Sequence, residues 1–144
     1  ARGWIKTLLE EAENERMHLM IFVEIARPTA FERYAILFAQ VIFWNFYFLL
    51  YVFFPKIAHR MVGYFEEQAV ISYTQYLEQV DSGKIENIQA PSVAIQYYGL
   101  RTDATLRDVI LSIRADEEGH RDENHAMADL LVNTSGEPLG DRPG

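Results

Sequence analysis

Cysteine is absent from the 144-residue chain. Its absence excludes disulfides, thiolate zinc sites and iron–sulfur clusters within this chain, so any bound metal must be held by nitrogen and oxygen ligands. Charge is scarce in one segment, because residues 35–65 carry only Lys56 and Arg60. The chain as a whole has a net charge of -8, which repels phosphate and predicts that nucleic acid is not a partner.

A starting methionine is also missing. The chain begins at Ala1, and an apolar helical pattern is already present at Trp4 and Ile5. We therefore expect an upstream part of the protein, including any targeting peptide, to lie outside this sequence. A length of 144 residues with 49% hydrophobic residues is enough for one folded domain. We predict that this domain covers residues 1–132 and that residues 133–144, which lack apolar periodicity, form a flexible tail.

Hydrophobic periodicity predicts an all-α fold. Long helices are predicted at 3–26, 29–54, 56–80 and 103–132, with one short helix inside the loop at 84–101. Thr29 is the predicted N-cap of the second helix, and Thr102 or Asp103 is the predicted N-cap of the last. Arg27-Pro28 and Pro55 end the first two helices, because a residue before proline disfavours helical backbone.

The second helix contains 20 residues without a charge, from Ala35 to Phe54. That length reaches the roughly 20 residues needed to span a bilayer, and its aromatic residues favour a membrane interface. A transmembrane helix, a helix lying on the membrane or a dimer interface, and a buried core helix all remain open. Membrane contact is the prediction common to the first two. Lys56, His59 and Arg60 follow the apolar run and are predicted to meet lipid headgroups.

Two Glu-x-x-His pairs, Glu15 with His18 and Glu117 with His120, point to a metal site. Residues three apart on a helix share a face, so both side chains of a pair can reach one metal. Glu66 lies 51 residues from both Glu15 and Glu117. Di-iron helical bundles use two such pairs and one further Glu from each of two other helices. The chain supplies all of these but one Glu, which we expect upstream of Ala1; iron is the preferred metal, and manganese comes second.

Other polar residues receive weaker interpretations. Tyr73 follows Glu66 by seven residues and therefore lies on nearly the same helix face. His125 is five residues beyond His120 and is predicted to point away from the metal. Glu10, Glu11 and Glu13 are interpreted as a solvated face, because nothing in the sequence requires their burial.

Three segments resemble the signature blocks of the alternative oxidases. They read Leu8-Leu9-Glu10-Glu11-Ala12-Glu13-Asn14-Glu15-Arg16-Met17-His18-Leu19, Gly63-Tyr64-Phe65-Glu66-Glu67-Gln68-Ala69 and Arg114-Ala115-Asp116-Glu117-Glu118-Gly119-His120-Arg121. The resemblance extends from about Trp4 to Asp129. It implies a ferritin-like di-iron four-helix bundle with an additional apolar helix that contacts the membrane. It also implies a non-haem di-iron ubiquinol oxidase that reduces molecular oxygen to water without pumping protons.

The resemblance further implies a homodimer attached to lipid on one leaflet, in the mitochondrial inner membrane or a bacterial cytoplasmic membrane. It assigns the two iron ions to Glu15, His18, Glu66, Glu117 and His120. Asn14 and Asp116 match residues that orient the imidazoles by hydrogen bonds, and Tyr73 matches the redox-active tyrosine of the family.

The implied quinol pocket includes Phe65, Gln68, Ala69 and Ser72. The chain departs from the family pattern at Phe65 and Gln68, where the family has Leu and Glu. It departs again at Tyr98, where the family has Trp.

Two other function classes remain open on the residues alone. The ligand pattern also suits a soluble ferritin-like di-iron protein, either an iron store or a radical-generating subunit. Such a protein has no reason to expose the apolar run. A membrane-anchored helical scaffold with accidental Glu-x-x-His pairs is the non-enzymatic alternative, and it would bind no iron.

Overall fold

The computed structural model describes the backbone of residues 3–134 and the side chains of residues 6–131. It is all-helical over this range, as predicted, apart from one isolated bridge between Gln89 and Thr105. The helices are α1 (Gly3–Ala26), α2 (Ala30–Phe53), α3 (Pro55–Asp81), α4 (Ser92–Tyr98) and α5 (Leu106–Thr134). The last helix extends two residues into the predicted tail, and residues 135–144 lie outside the described range.

The junction between α1 and α2 follows the local sequence closely. Arg27, which precedes Pro28, leaves the helix with a positive φ of 45°, because proline disfavours helical backbone at the residue before it. Thr29 then caps α2 through a reciprocal capping box with Glu32. The predicted end of the first helix and the predicted cap of the second are therefore confirmed.

The start of α5 differs from its prediction. The cap is neither Thr102 nor Asp103, because the helix begins at Leu106. The Asp108 carboxylate accepts hydrogen bonds from the backbone N–H and the hydroxyl of Thr105, at 2.8 and 3.0 Å. The spacing Thr105-x-x-Asp108 resembles a capping box and was the signal in the sequence for the true start.

Helices α3 and α5 make the most extensive contact of any two described helices. Gly63 permits the approach, since a Cβ at this position would lie 2.7 Å from the imidazole of His125. The His125 ring is held between the helices by Arg60, at 2.9 Å from Nδ1, and Glu67, at 3.2 Å from Nε2. His125 thus lies on a different face of α5 from His120, as predicted.

The apolar core lies where the second halves of α1 and α3 meet the first half of α5 and the short α4. Its fully buried members include Ile21, Val109 and Ile110. The Glu-x-x-His pairs lie next to this packed region, before it on α1 and after it on α5. The core therefore holds together the helices that carry them.

Helix α2 stands apart from that core. None of its residues is buried, and it is the only described helix long and apolar enough to cross a membrane. The interpretation as a buried core helix is wrong, because large apolar side chains such as Phe38 and Trp44 are exposed. His59 does not meet headgroups as predicted: it is 5% exposed and accommodated inside the protein.

Candidate metal centre

Four of the five predicted ligands converge in the structure. Ligand atoms of Glu15 from α1, Glu66 from α3 and Glu117 and His120 from α5 all lie within 4.8 Å of one another. Glu117 is buried, whereas the Glu15 side chain is 48% exposed on the open side of the cluster. Residues that are 51 positions apart in the chain therefore meet at one place.

His18, the fifth predicted ligand, lies against this cluster. Its side chain is 3% exposed, and its Nδ1 atom is 3.1 Å from Glu117 Oε1 and 3.5 Å from Glu15 Oε1. His120 Nδ1 lies 3.2 Å from Glu15 Oε1. The two imidazole rings are 6.4 Å apart, centre to centre. Both histidines thus direct Nδ1 towards the carboxylates.

A hydrogen-bond network holds the opposite edge of the His18 ring. Asp116 Oδ2 accepts a hydrogen bond from Asn14 Nδ2 at 2.9 Å and lies 3.0 Å from His18 Nε2. The Tyr98 hydroxyl donates to the same oxygen at 2.6 Å, and Asn14 also donates to the Tyr97 hydroxyl at 2.8 Å. Donation from His18 Nε2–H to Asp116 leaves Nδ1 free to face the cluster, an arrangement typical of metal-binding histidines.

Without a metal, the cluster takes up protons. Burial and the neighbouring Glu117 carboxylate raise the pKa of Glu66 to about 9. Burial lowers the pKa of His18, but Asp116, Glu117 and Glu15 outweigh it and raise this pKa to about 11. Burial likewise opposes the contacts of His120 with Glu117 and Glu15, which raise the pKa of that imidazole to about 10. Protons at these positions offset carboxylate charge that a cation would otherwise neutralise.

The donor set fits hard metal cations such as iron. His18 Nδ1 and His120 Nδ1 are buried and make no hydrogen bond to any part of the chain that the structure describes, although carboxylate oxygens lie 3.1 to 3.8 Å away. Buried polar atoms are normally hydrogen-bonded. A metal that bound these nitrogens and the facing carboxylates would satisfy both, and it would displace the protons described above.

Tyr73 lies beside the cluster on α3. Its ring stacks on Phe22, with 6.0 Å between the ring centres. Burial raises the pKa of the Tyr73 phenol, and the charges of Glu117, Glu15 and Glu66 add to the effect. The hydroxyl is therefore kept protonated within the electrostatic field of the carboxylates, as the shared helix face with Glu66 suggested.

An apolar cleft of about 1080 Å³ opens onto the cluster. Glu15, Glu66 and His120 line one wall, and α2 side chains including Trp44 and Tyr47 line the other. Of the four residues predicted for the quinol pocket, Phe65 lines this cleft. Gln68 and Ser72 are exposed, Ser72 donates to the Gln68 carbonyl at 2.8 Å, and Ala69 is half-buried.

Sequence reasoning missed several residues near the site. Glu11 was interpreted as solvated, yet it is half-buried and accepts hydrogen bonds from the buried Asn124. Asn124 itself carried no motif, and His59 was expected at the lipid surface. The available signal was helical spacing, because Glu11 precedes Glu15 by one turn and Asn124 follows His120 by one turn.

Comparison with known proteins gives a consistent result. The family described as alternative oxidase matches residues 1–129. The chain is 57% identical over 141 residues to a mitochondrial ubiquinol oxidase of Mangifera indica, covering 98% of this chain and 44% of the relative. It is 58% identical over 128 residues to mitochondrial ubiquinol oxidase 1a of Arabidopsis thaliana, covering 89% of this chain and 36% of the relative.

A fungal relative extends the similarity beyond plants. A mitochondrial ubiquinol oxidase of Batrachochytrium dendrobatidis is 55% identical over 130 residues, covering 90% of this chain and 41% of the relative. The chain thus spans less than half the length of each of these curated relatives.

Proposed function

The chain belongs to the alternative oxidase family, and we propose on that basis that it forms the larger part of the catalytic region of a ubiquinol oxidase. The reaction would oxidise quinol and reduce molecular oxygen to water. Relatives that are 55 to 58% identical carry the name ubiquinol oxidase. The observation that supports this function in the structure itself is the convergence of Glu15, Glu66, Glu117 and His120.

Two iron ions are the proposed cofactor. Glu15, Glu66 and Glu117 would supply carboxylate oxygens, and His18 and His120 would supply or support nitrogen ligands through Nδ1. A sixth ligand, a glutamate, would come from a part of the protein upstream of Ala1, since such centres use four carboxylates and two histidines. When bound, the iron pair would take electrons from quinol and pass them to oxygen.

The chain's own residues would position and protonate the reactants. Two quinol molecules carry the four electrons and four protons that convert one oxygen molecule into two water molecules. The cleft next to Phe65 would admit the quinol headgroup, because it is apolar and leads to Glu15 and Glu66. Tyr73 would pass on an electron and a proton from its phenol during oxygen reduction and would recover both from quinol, since its hydroxyl stays protonated beside the cluster.

Helix α2 would attach the protein to lipid. It is unburied along its whole length, and its exposed side chains include Phe31, Phe38, Trp44 and Phe53. An apolar surface this large is unusual on a soluble monomer, which weighs against a soluble iron store. We propose attachment to one leaflet of the mitochondrial inner membrane and a homodimeric assembly; the relatives named above are described as mitochondrial.

Oxygen uptake in the presence of cyanide tests the proposed function. Membranes that contain the full-length protein, supplied with ubiquinol and cyanide, should consume oxygen, because cyanide silences haem–copper oxidases and leaves a di-iron enzyme active. Membranes that carry the Glu117→Ala variant at equal abundance are the matched control and should be inactive. Equal oxygen uptake by both preparations, or none by either, would show the proposal to be wrong.

A further inference from the structure

A second set of polar side chains lies next to the metal cluster in the interior of the helix bundle. Asn124 on α5 is fully buried and His59 on α3 is nearly so. Asn124 Nδ2 is 3.0 and 3.1 Å from the two carboxylate oxygens of Glu11 on α1. Asn124 Oδ1 is 3.0 Å from His59 Nδ1. One amide therefore joins the three helices that carry the proposed iron ligands.

This polar layer keeps a regular spacing from the ligands. Glu11 precedes Glu15 by four residues, and Asn124 follows His120 by four residues. Both spacings correspond to about one helical turn. His59 precedes Glu66 by seven residues, or about two turns. Each member of the layer thus shares a helix face with a ligand of the same helix.

The hydrogen bonds of the layer fix the orientation of the Asn124 amide. Nδ2 also lies 3.0 Å from the carbonyl oxygen of His120. Carboxylate and carbonyl oxygens only accept hydrogen bonds, so both hydrogens of Nδ2 are donated, one to Glu11 and one to His120. Oδ1 then accepts from His59 Nδ1–H. Turning the amide over would set oxygen against oxygen, and this would leave buried groups unsatisfied.

Such a directional contact constrains helix register in a way that apolar packing does not. Aliphatic side chains tolerate small sliding movements between helices, whereas a buried amide with three required partners has one acceptable position. A shift of α1 along α5 would break the bonds to Glu11 and would move Glu15 away from His120 at the same time.

We propose that Asn124 is a positioning residue, which holds α1 and α3 in register with α5 so that Glu15, Glu66 and His120 meet at one metal centre. It acts through Glu11 and His59 and does not touch the metal. The inference rests on the proposed function, since it concerns the affinity of that centre for iron.

The test compares iron affinity among variants of the full-length protein. Affinity for Fe(II) is measured by competition with a chelator, and thermal unfolding of each metal-free variant is recorded in parallel. Asn124→Asp replaces the donor by a second carboxylate that faces Glu11, and we expect it to weaken iron binding by about 10–100-fold. Leu106→Ala is the matched control: it removes a buried side chain on the same helix, and it should lower the unfolding temperature without changing the affinity.

Two further variants sharpen the result. Adding Glu11→Gln to Asn124→Asp restores a donor–acceptor pair between α1 and α5, and it should recover part of the lost affinity. If Asn124→Asp does not fold, Glu11→Leu provides the same test, because it removes both acceptors from a half-buried position and leucine favours a helix. Glu11→Leu should also weaken iron binding by about tenfold.

Three outcomes would overturn the inference. Wild-type affinity in the folded Asn124→Asp variant, or in Glu11→Leu where it takes its place, would show that the layer does not position the ligands. If Leu106→Ala had the same unfolding temperature as Asn124→Asp and lost as much affinity for iron, Asn124 would be only a general stabilising residue. Absence of iron from the unaltered protein would overturn the proposed function as well, and so distinguishes the two failures.

Discussion

Replacing Asp116 by asparagine should loosen the hydrogen-bond network that holds His18. Asp116 Oδ2 is contacted by Tyr98 at 2.6 Å, Asn14 at 2.9 Å and His18 at 3.0 Å. Hydrogen bonds to a charged group contribute about 1.5–3 kcal/mol each. An asparagine oxygen can keep some of these bonds but loses the charge, so we expect the metal-free protein to be destabilised by about 2 kcal/mol. The corresponding fall in unfolding temperature is about 4–8 °C.

The same replacement should lower the pKa of His18. That pKa is raised from 6.5 to about 11, and Asp116 is the largest contribution acting against burial. Because the folded pKa is the higher one, the stabilisation is fully present below pH 6.5 and is lost as the pH rises through about 11. Loss of the Asp116 charge should lower the pH at which this stabilisation is lost. NMR titration of the histidine ring nitrogens and unfolding at a series of pH values measure both effects.

Asp122→Asn is the matched control for this experiment. Asp122 lies on the same helix, is 69% exposed and pairs with Arg121 at the surface. Surface pairs of this kind contribute about 0–1 kcal/mol, so the control should change neither the His18 titration nor the unfolding temperature appreciably. An unchanged His18 pKa in Asp116→Asn, or equal losses in the two variants, would refute the account of the network.

Two further predictions concern packing and redox chemistry. Gly63→Ala should lower the free energy of unfolding by about 1–3 kcal/mol, because its Cβ would lie 2.7 Å from the His125 ring. Gly119→Ala is the control: its Cβ would meet nothing within 4 Å, so this variant should be neutral or stabilising. Chemical denaturation compares the two variants, and equal stabilities would contradict the packing argument. Tyr73→Phe should retain its iron but lose most of its turnover, because the proposed role of the phenol is to pass on an electron and a proton. Normal oxygen uptake by this variant with ubiquinol would show that Tyr73 does not have this role.

Local rules of helix formation predicted much of the architecture from the sequence. The turn at Arg27-Pro28 and the cap at Thr29 depend on neighbouring residues alone, and the structure confirms both. The convergence of Glu15, Glu66, Glu117 and His120 could be anticipated because their spacing repeats a known pattern. Helical periodicity was sufficient to place the glutamate and the histidine of each pair on one face of their helix.

Contacts between helices could not be predicted from local rules of this kind. His59 was expected at the lipid surface because it lies between Lys56 and Arg60, but its position is decided by Asn124, which is 65 residues away. Glu11 was assigned to solvent because its own neighbours are acidic, yet its partner is 113 residues away. A prediction from one sequence uses the neighbours of a residue along the chain. The energetic cost of burying an amide depends instead on whether residues of other helices form hydrogen bonds with it.

Iron content per chain tests the central claim most directly. We predict about two iron ions per chain in the purified full-length protein, as in other bundles with this ligand pattern. Glu66→Ala should lose this iron because it removes a proposed ligand from the cluster. Glu78→Ala, an exposed change on the same helix, should keep it. Absence of iron from the unaltered protein, or full iron content in Glu66→Ala, would contradict the assignment of the metal centre.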